Sequence, residues 1–133
     1  MYFTSDRGGR PQIYAVSASG GSASRVTFQG TYNASASVSF DGKKIATAQG
    51  AGNVYRVAMM DSSLGSPRWS LLSPGNLDES PSFAPNASML LYAAREGGRG
   101  VLYSVSADAR VRQRLAMDGD VREPAWGPYR TPR

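Results

Sequence analysis

Ala36-Ser37-Val38-Ser39-Phe40-Asp41-Gly42-Lys43-Lys44-Ile45-Ala46-Thr47 decides the fold, because it returns. Forty-five residues later stand Pro81-Ser82-Phe83-Ala84-Pro85-Asn86-Ala87-Ser88-Met89-Leu90-Leu91-Tyr92, and forty-three residues after Pro81 stand Pro124-Ala125-Trp126-Gly127-Pro128. Working outward, a second motif repeats as Gln12-Ile13-Tyr14-Ala15-Val16, Asn53-Val54-Tyr55-Arg56-Val57 and Val101-Leu102-Tyr103-Ser104-Val105. A third ends in Arg25-Val26-Thr27, Ser70-Leu71-Leu72 and Gln113-Arg114-Leu115. Each element is short, rich in β-branched, aromatic or aliphatic residues, and bounded by Gly, Asn, Asp or Ser, which is the pattern of strands and turns. The best helix candidate, Val57 to Leu64, is closed off by Gly65 and Pro67. Four short strands per period of 40–45 residues mark a β-propeller blade.

The strand count predicts an all-β chain of three four-stranded blades. Strands two to four of a split blade fall at about 2–5, 12–16 and 23–28, within segment 1–28. Full blades occupy 29–72 and 73–115, and segment 116–133 supplies a first strand at about 121–126 plus a tail. The outer pieces are complementary parts of one blade. Three blades fall below the four to eight that close a ring, so two copies completing a six-bladed ring as a homodimer are expected. Val38, Phe83 and Trp126 are expected to fill the space between blades, and Tyr14, Tyr55 and Tyr103 to share one structural repeat position.

Composition narrows the function. The chain has 133 residues, 41% hydrophobic and 19% charged, which is a globular balance. It contains neither Cys nor His, so disulfides, thiolate nucleophiles, Ser-His-Asp triads and the usual zinc sites are excluded. No Gly-x-Ser-x-Gly elbow is present. Asp78 and Glu79 are neighbours on a strand and point to opposite faces, so they do not converge as a glycosidase pair. The chain reads as a non-enzyme. Its net charge of +5 comes from dispersed arginines, with Arg130 and Arg133 in the tail and no basic run, which argues against nucleic acid. No stretch approaches 18 apolar residues, so no membrane insertion is expected. No signal peptide opens the sequence, so a chain expressed as it stands is expected in the cytoplasm.

In a propeller the first strand of each blade lines the channel, and the loops entering it share a rim with the loops joining strands two and three. That placement selects Asn33, Asp78, Glu79, Arg122, Glu123, Arg7 and Arg95 as candidate partner-binding residues. Each alone reads more readily as part of a solvated, salt-bridged rim, and Glu79 and Glu123 are the better binding candidates. Gly8-Gly9-Arg10 and Gly97-Gly98-Arg99-Gly100 lack the Gly-Lys-Ser/Thr and the helix of a phosphate loop. A ring of glutamates across the channel would suit Ca²⁺, which takes oxygen ligands; no other cofactor is expected.

The Ser-x-Asp-Gly-x-x-Ile-Ala pattern resembles the TolB-type propeller repeat. Phe3 to Tyr14, Asp78 to Asn86 and Glu123 to Tyr129 are similar to segments of that family, and the likeness covers nearly the whole chain. Ala36 stands where the repeat prefers Pro, Phe40 where it places Pro, and Asn86-Ala87 where it has Asp-Gly. The resemblance implies a periplasmic, non-enzymatic protein of the Tol–Pal system. In that family a six-bladed propeller, preceded by an α/β domain, binds the lipoprotein Pal and colicin peptides that mimic it. It also implies a channel-entrance role for the Glu-Pro pair, Glu123-Pro124. Alternative expectations are blades gating a prolyl-oligopeptidase-like hydrolase, and a designed half-propeller with no ligand.

Overall fold

The computed structural model describes residues 1–61 and 69–129. Among the described residues, eleven strands fall into three antiparallel sheets. The first is β1 (Tyr2–Ser5), β2 (Gln12–Ala15) and β3 (Ser24–Arg25), in that order. The second is β4 (Tyr32–Val38), β5 (Lys44–Ala51), β6 (Val54–Asp61) and β7 (Trp69–Leu71). The third is β8 (Glu79–Phe83), β9 (Met89–Glu96), β10 (Arg99–Ser106) and β11 (Arg112–Leu115). Every sheet is an up-and-down meander, as short alternating strands joined by tight turns dictate.

The core lies between the second and third sheets. Ala46, Val57, Met59 and Leu72 from one side meet Leu90, Tyr92, Tyr103 and Val105 from the other. Between the first and second sheets the contact is polar and fully paired. Buried Asn33 donates from Nδ2 to Gln12 Oε1 (2.9 Å) and to the Gln29 carbonyl (2.7 Å), while Thr27 Oγ1 donates to Gln12 Oε1 (2.6 Å). Such a network stabilises only when every member has a partner.

Several expectations are corrected. The helix candidate at Val57 to Leu64 is strand through Asp61, because Val57 and Met59 alternate into the core and the segment pairs with β5; residues 62–64 lie outside the described residues. Tyr14 and Tyr103 are equivalent, opposite Phe3 and Tyr92, but Tyr55 lies opposite Gly50 beside its hairpin, three residues out of phase. A Cβ at Gly50 would meet Tyr55 Cε1 at 2.6 Å, so the glycine lets the ring lie over the neighbouring strand. Phe83 is buried, yet Val38 and Trp126 are each 39% exposed and line an open groove of ≈ 360 Å³ with Phe40 and Pro85.

Among the described residues the expected strand at 121–126 forms no ladder. Its backbone nevertheless follows the path of the other first strands. The N–H groups of Asn33, Asp78 and Val121 donate to the carbonyls of Pro11, Tyr55 and Gly100, each at 2.9 Å. Two residues on, Ser35, Ser80 and Glu123 all take positive φ, at 58°, 55° and 47°. In β4 and β8 that residue sits in a break of register, a β-bulge that re-aims the strand. Gly100 makes the third anchor possible, since a Cβ there would lie 1.8 Å from the Val121 carbonyl oxygen.

Candidate functional site

The bulges place the start of each first strand at one end of the sheets. Between β4 and β8 they leave a cavity of ≈ 190 Å³ lined by Tyr32, Ser35, Tyr55, Leu77, Glu79 and Arg95. Its back wall is aromatic: Tyr32 and Tyr55 meet edge to face with ring centroids 5.1 Å apart. Leu77 is brought in by a parallel bridge to Tyr55 and stays exposed. Glu79 and Arg95 provide one charge of each sign at the opening, and both are exposed. Apolar walls with a few charged groups suit an extended peptide carrying an apolar side chain beside polar ones.

The other expected site residues sit differently. Asn33 and Asp78 are buried, at 0% and 1% exposure, and serve the rim from beneath. Asp78 Oδ2 accepts the Gly75 N–H at 2.8 Å and so closes the loop that presents Leu77 and Glu79. Arg122 is ion-paired with Asp120 at 3.1 Å, and Asp120 also accepts the Gly100 N–H at 2.6 Å. That backbone bond, followed by Arg122, holds the Asp120 carboxyl below its ordinary range. Arg7 lies over both the Phe3 and Tyr14 rings, 5.1 and 5.0 Å from their centroids, a cation–π contact.

Glu123 is exposed on the bulge, in register with Ser80 and Ser35 rather than with Glu79. Glu79 and Glu123 therefore occupy different repeat positions. Among the described residues no three His, Cys, Asp or Glu side chains group to hold a metal ion.

Glu96 accepts a hydrogen bond from the Tyr103 hydroxyl and forms an ion pair with Arg114 at 3.2 Å. The Tyr103 bond is the main cause of a lowered Glu96 carboxyl and a raised Tyr103 phenol. Tyr92 is raised chiefly by burial, and its hydroxyl accepts from Arg112 Nε at 2.7 Å. Tyr32, Ser35 and Leu77 were missed in the sequence. The signal that could have found them is proximity to Asn33 and Asp78, since residues flanking an expected loop-to-strand junction share its rim.

Three meandering sheets that pack face against face, the second and third each entered by a bulged first strand, define successive blades of a β-propeller. The chain matches the family model described as TolB beta propeller domain over residues 1–130, and it belongs to that family. It is 85% identical over 117 residues to the Tol-Pal system protein TolB of Xanthomonas campestris pv. campestris, covering 87% of this chain and 27% of that protein. The counterpart of the same name in Xanthomonas oryzae pv. oryzae shows the same identity and coverage. The crystal structure of TolB from Acinetobacter baumannii superposes with a TM-score of 0.84 at 49% identity, covering 95% of this chain and 32% of that one. A putative TolB from Agrobacterium tumefaciens, at 18% identity and TM-score 0.77, shares the fold. The chain thus spans about a quarter of the length of the curated relatives it matches. It is a member of the TolB propeller family.

Proposed function

We propose that this chain contributes three blades to a closed six-bladed propeller of the Tol–Pal system, acting in the periplasm, whose rim holds a segment of a Pal-like lipoprotein. A colicin peptide that mimics that segment would take the same place. In this reading a second copy of the chain completes the ring. The observation that carries the rim reading is the cavity between β4 and β8, where Tyr32, Tyr55 and Leu77 offer an apolar wall and Glu79 and Arg95 opposite charges. The 85% identity to Tol-Pal system proteins supports a Pal-like partner. The family assignment favours a binding module over a gate for a prolyl-oligopeptidase-like hydrolase.

The test is calorimetric titration of a Pal-derived peptide into the protein and into Glu79→Ala and Arg95→Ala. Saturable binding, weakened about tenfold by either change with melting temperature nearly constant, is expected. That factor corresponds to about 1.4 kcal/mol. Equal affinity in all three proteins would overturn the assignment of this cavity.

A further inference from the structure

The seam between the first and second sheets and the seam between the second and third are built alike, except at one position. The Ile13 N–H donates to Thr27 Oγ1 at 3.0 Å, and the Val57 N–H donates to Ser73 Oγ at 2.8 Å. Gln12 and Arg56, each one residue earlier, are therefore counterparts. Gln29 and Gly75, each two residues after the hydroxyl, are counterparts as well. At the second seam Arg56 Nε donates to the Gly75 carbonyl at 3.0 Å and ties its strand to the loop that enters β8. At the first seam the Gln29 carbonyl is taken by Asn33 Nδ2 instead, at 2.7 Å. Gln12 is drawn inward, since its Oε1 accepts from both Thr27 Oγ1 and Asn33 Nδ2. What an arginine bridges at one seam is left at the other as an opening of ≈ 400 Å³.

Arg10, Gln12, Arg25, Gly30 and Thr31 line that opening, and no aspartate or glutamate does. Arg10 is exposed and forms no ion pair among the described residues. Arg25 is held in place. Its Nε donates to the Thr27 carbonyl at 2.6 Å, and its guanidinium lies 5.0 Å from the Phe28 ring centroid. Gln12 is 4% exposed, and both of its printed side-chain bonds fall on Oε1. No buried side-chain nitrogen or oxygen among the described residues lacks a partner, so the Gln12 Nε2 donor opens onto the pocket. The opening thus gathers two guanidinium groups and one amide donor with no acid of its own. Guanidinium forks match a carboxylate in plane and spacing, and donors fixed beforehand cost less to order on binding. These donors are side chains on strands and a hairpin, unlike the helix-borne amides of a phosphate loop.

We propose that this opening is a recognition site for a carboxylate. Arg25 and Gln12 are its fixed donors, and Arg10 closes on the ligand from the hairpin between β1 and β2. Thr31 is joined to Tyr32, which lines the cavity between β4 and β8, so the two openings adjoin along the chain. The site goes beyond the Pal-like reading, because neither arginine lines that cavity.

The test is amide mapping by nuclear magnetic resonance of the isotope-labelled chain, titrated with three probes: the end-blocked peptides Gly-Glu-Gly and Gly-Gln-Gly, and acetate. Saturable shifts at Gly8, Gly9, Gly30 and Thr31 are expected with the glutamate peptide and not with the glutamine peptide. Tighter binding of the glutamate peptide than of acetate assigns the carboxylate to a side chain of a docked segment; equal affinity assigns it to a small free acid. Arg10→Gln and Arg25→Gln should each weaken binding about tenfold, the scale of one charge-assisted pair. Arg10 has no ion pair to lose, so Arg10→Gln should keep its melting temperature. Arg110→Gln, in the exposed β10–β11 turn, removes the same charge and should change nothing. Arg95→Ala, which probes the neighbouring cavity, should also leave these shifts unchanged, so this site and the Pal-like reading fail separately. No saturable shift with either carboxylate, equal shifts with both peptides, or a loss in Arg110→Gln as large as in Arg10→Gln would overturn the proposal.

Discussion

Asp78 and Glu79 are adjacent, and replacing each by alanine should have opposite consequences. Asp78 is 1% exposed, and its Oδ2 accepts the Gly75 N–H at 2.8 Å. A hydrogen bond to an ionised acceptor contributes about 1.5–3 kcal/mol, and the donor left behind adds a desolvation cost. Asp78→Ala is therefore expected to lower stability by about 2–3 kcal/mol, or roughly 8–12 °C in melting temperature for a chain of this size. Glu79 is exposed, and Glu79→Ala should stay within about 0.5 kcal/mol. Urea denaturation followed by circular dichroism reads both. A further arm tests the geometry. A Cβ at Gly75 would lie 2.2 Å from Asp78 Oδ1, so Gly75→Ala alone should be costly. In the double variant the carboxylate is gone and the methyl has room, so the joint cost should fall below the sum. Strict additivity, or an Asp78→Ala change as mild as Glu79→Ala, would refute the reading of Asp78 as the loop's internal anchor.

Gly100→Ala should detach the segment after β11, because its Cβ would collide with the Val121 carbonyl; faster amide exchange at Val121, with the β8–β10 ladder intact, is the expected readout. Ala109 sits at φ 63° in an exposed turn, so Ala109→Gly should raise stability by up to about 1 kcal/mol in urea denaturation. The Glu96 and Asp120 carboxyls are lowered in the fold, so the stability their contacts give is present at neutral pH and is lost as pH falls through the lowered values. The Tyr92 and Tyr103 phenols are raised, so their contribution is whole below the ordinary phenol value of 10.0 and is lost as pH rises through the folded values. Tyrosinate absorbance should show both titrating late, with Tyr103 returning toward normal in Glu96→Gln.

The strands were legible because each repeat alternates apolar and polar residues between turn residues, and that pattern is local. The polar rim was legible only as a zone. Glu79 and Arg95 meet at a cavity, but Asn33 and Asp78 are buried beneath it, and nothing in the sequence separates a rim residue from the residue that props it up. The bulge was not legible. It occupies Ser35, Ser80 and Glu123, three positions with no shared side-chain chemistry, because the constraint is on the backbone. It puts Glu123 in register with Ser80 and Ser35, one position beyond Glu79. Tyr55 misled in the same way. Its flanking residues resemble those of Tyr103, but the ladder opposite Gly50 fixes its depth, and pairing partners are distant in sequence.

The rim between β4 and β8 is the proposed seat of a Pal-like segment. Its most direct test is backbone amide mapping by nuclear magnetic resonance as a Pal-derived peptide is added to the isotope-labelled protein. Saturable shifts concentrated at Ser35, Tyr55, Leu77, Glu79 and Arg95 are expected, with Phe40 and Asn86 at the opposite end unmoved. Shifts centred on Val38, Phe40 and Trp126, or no saturable shifts at all, would contradict it.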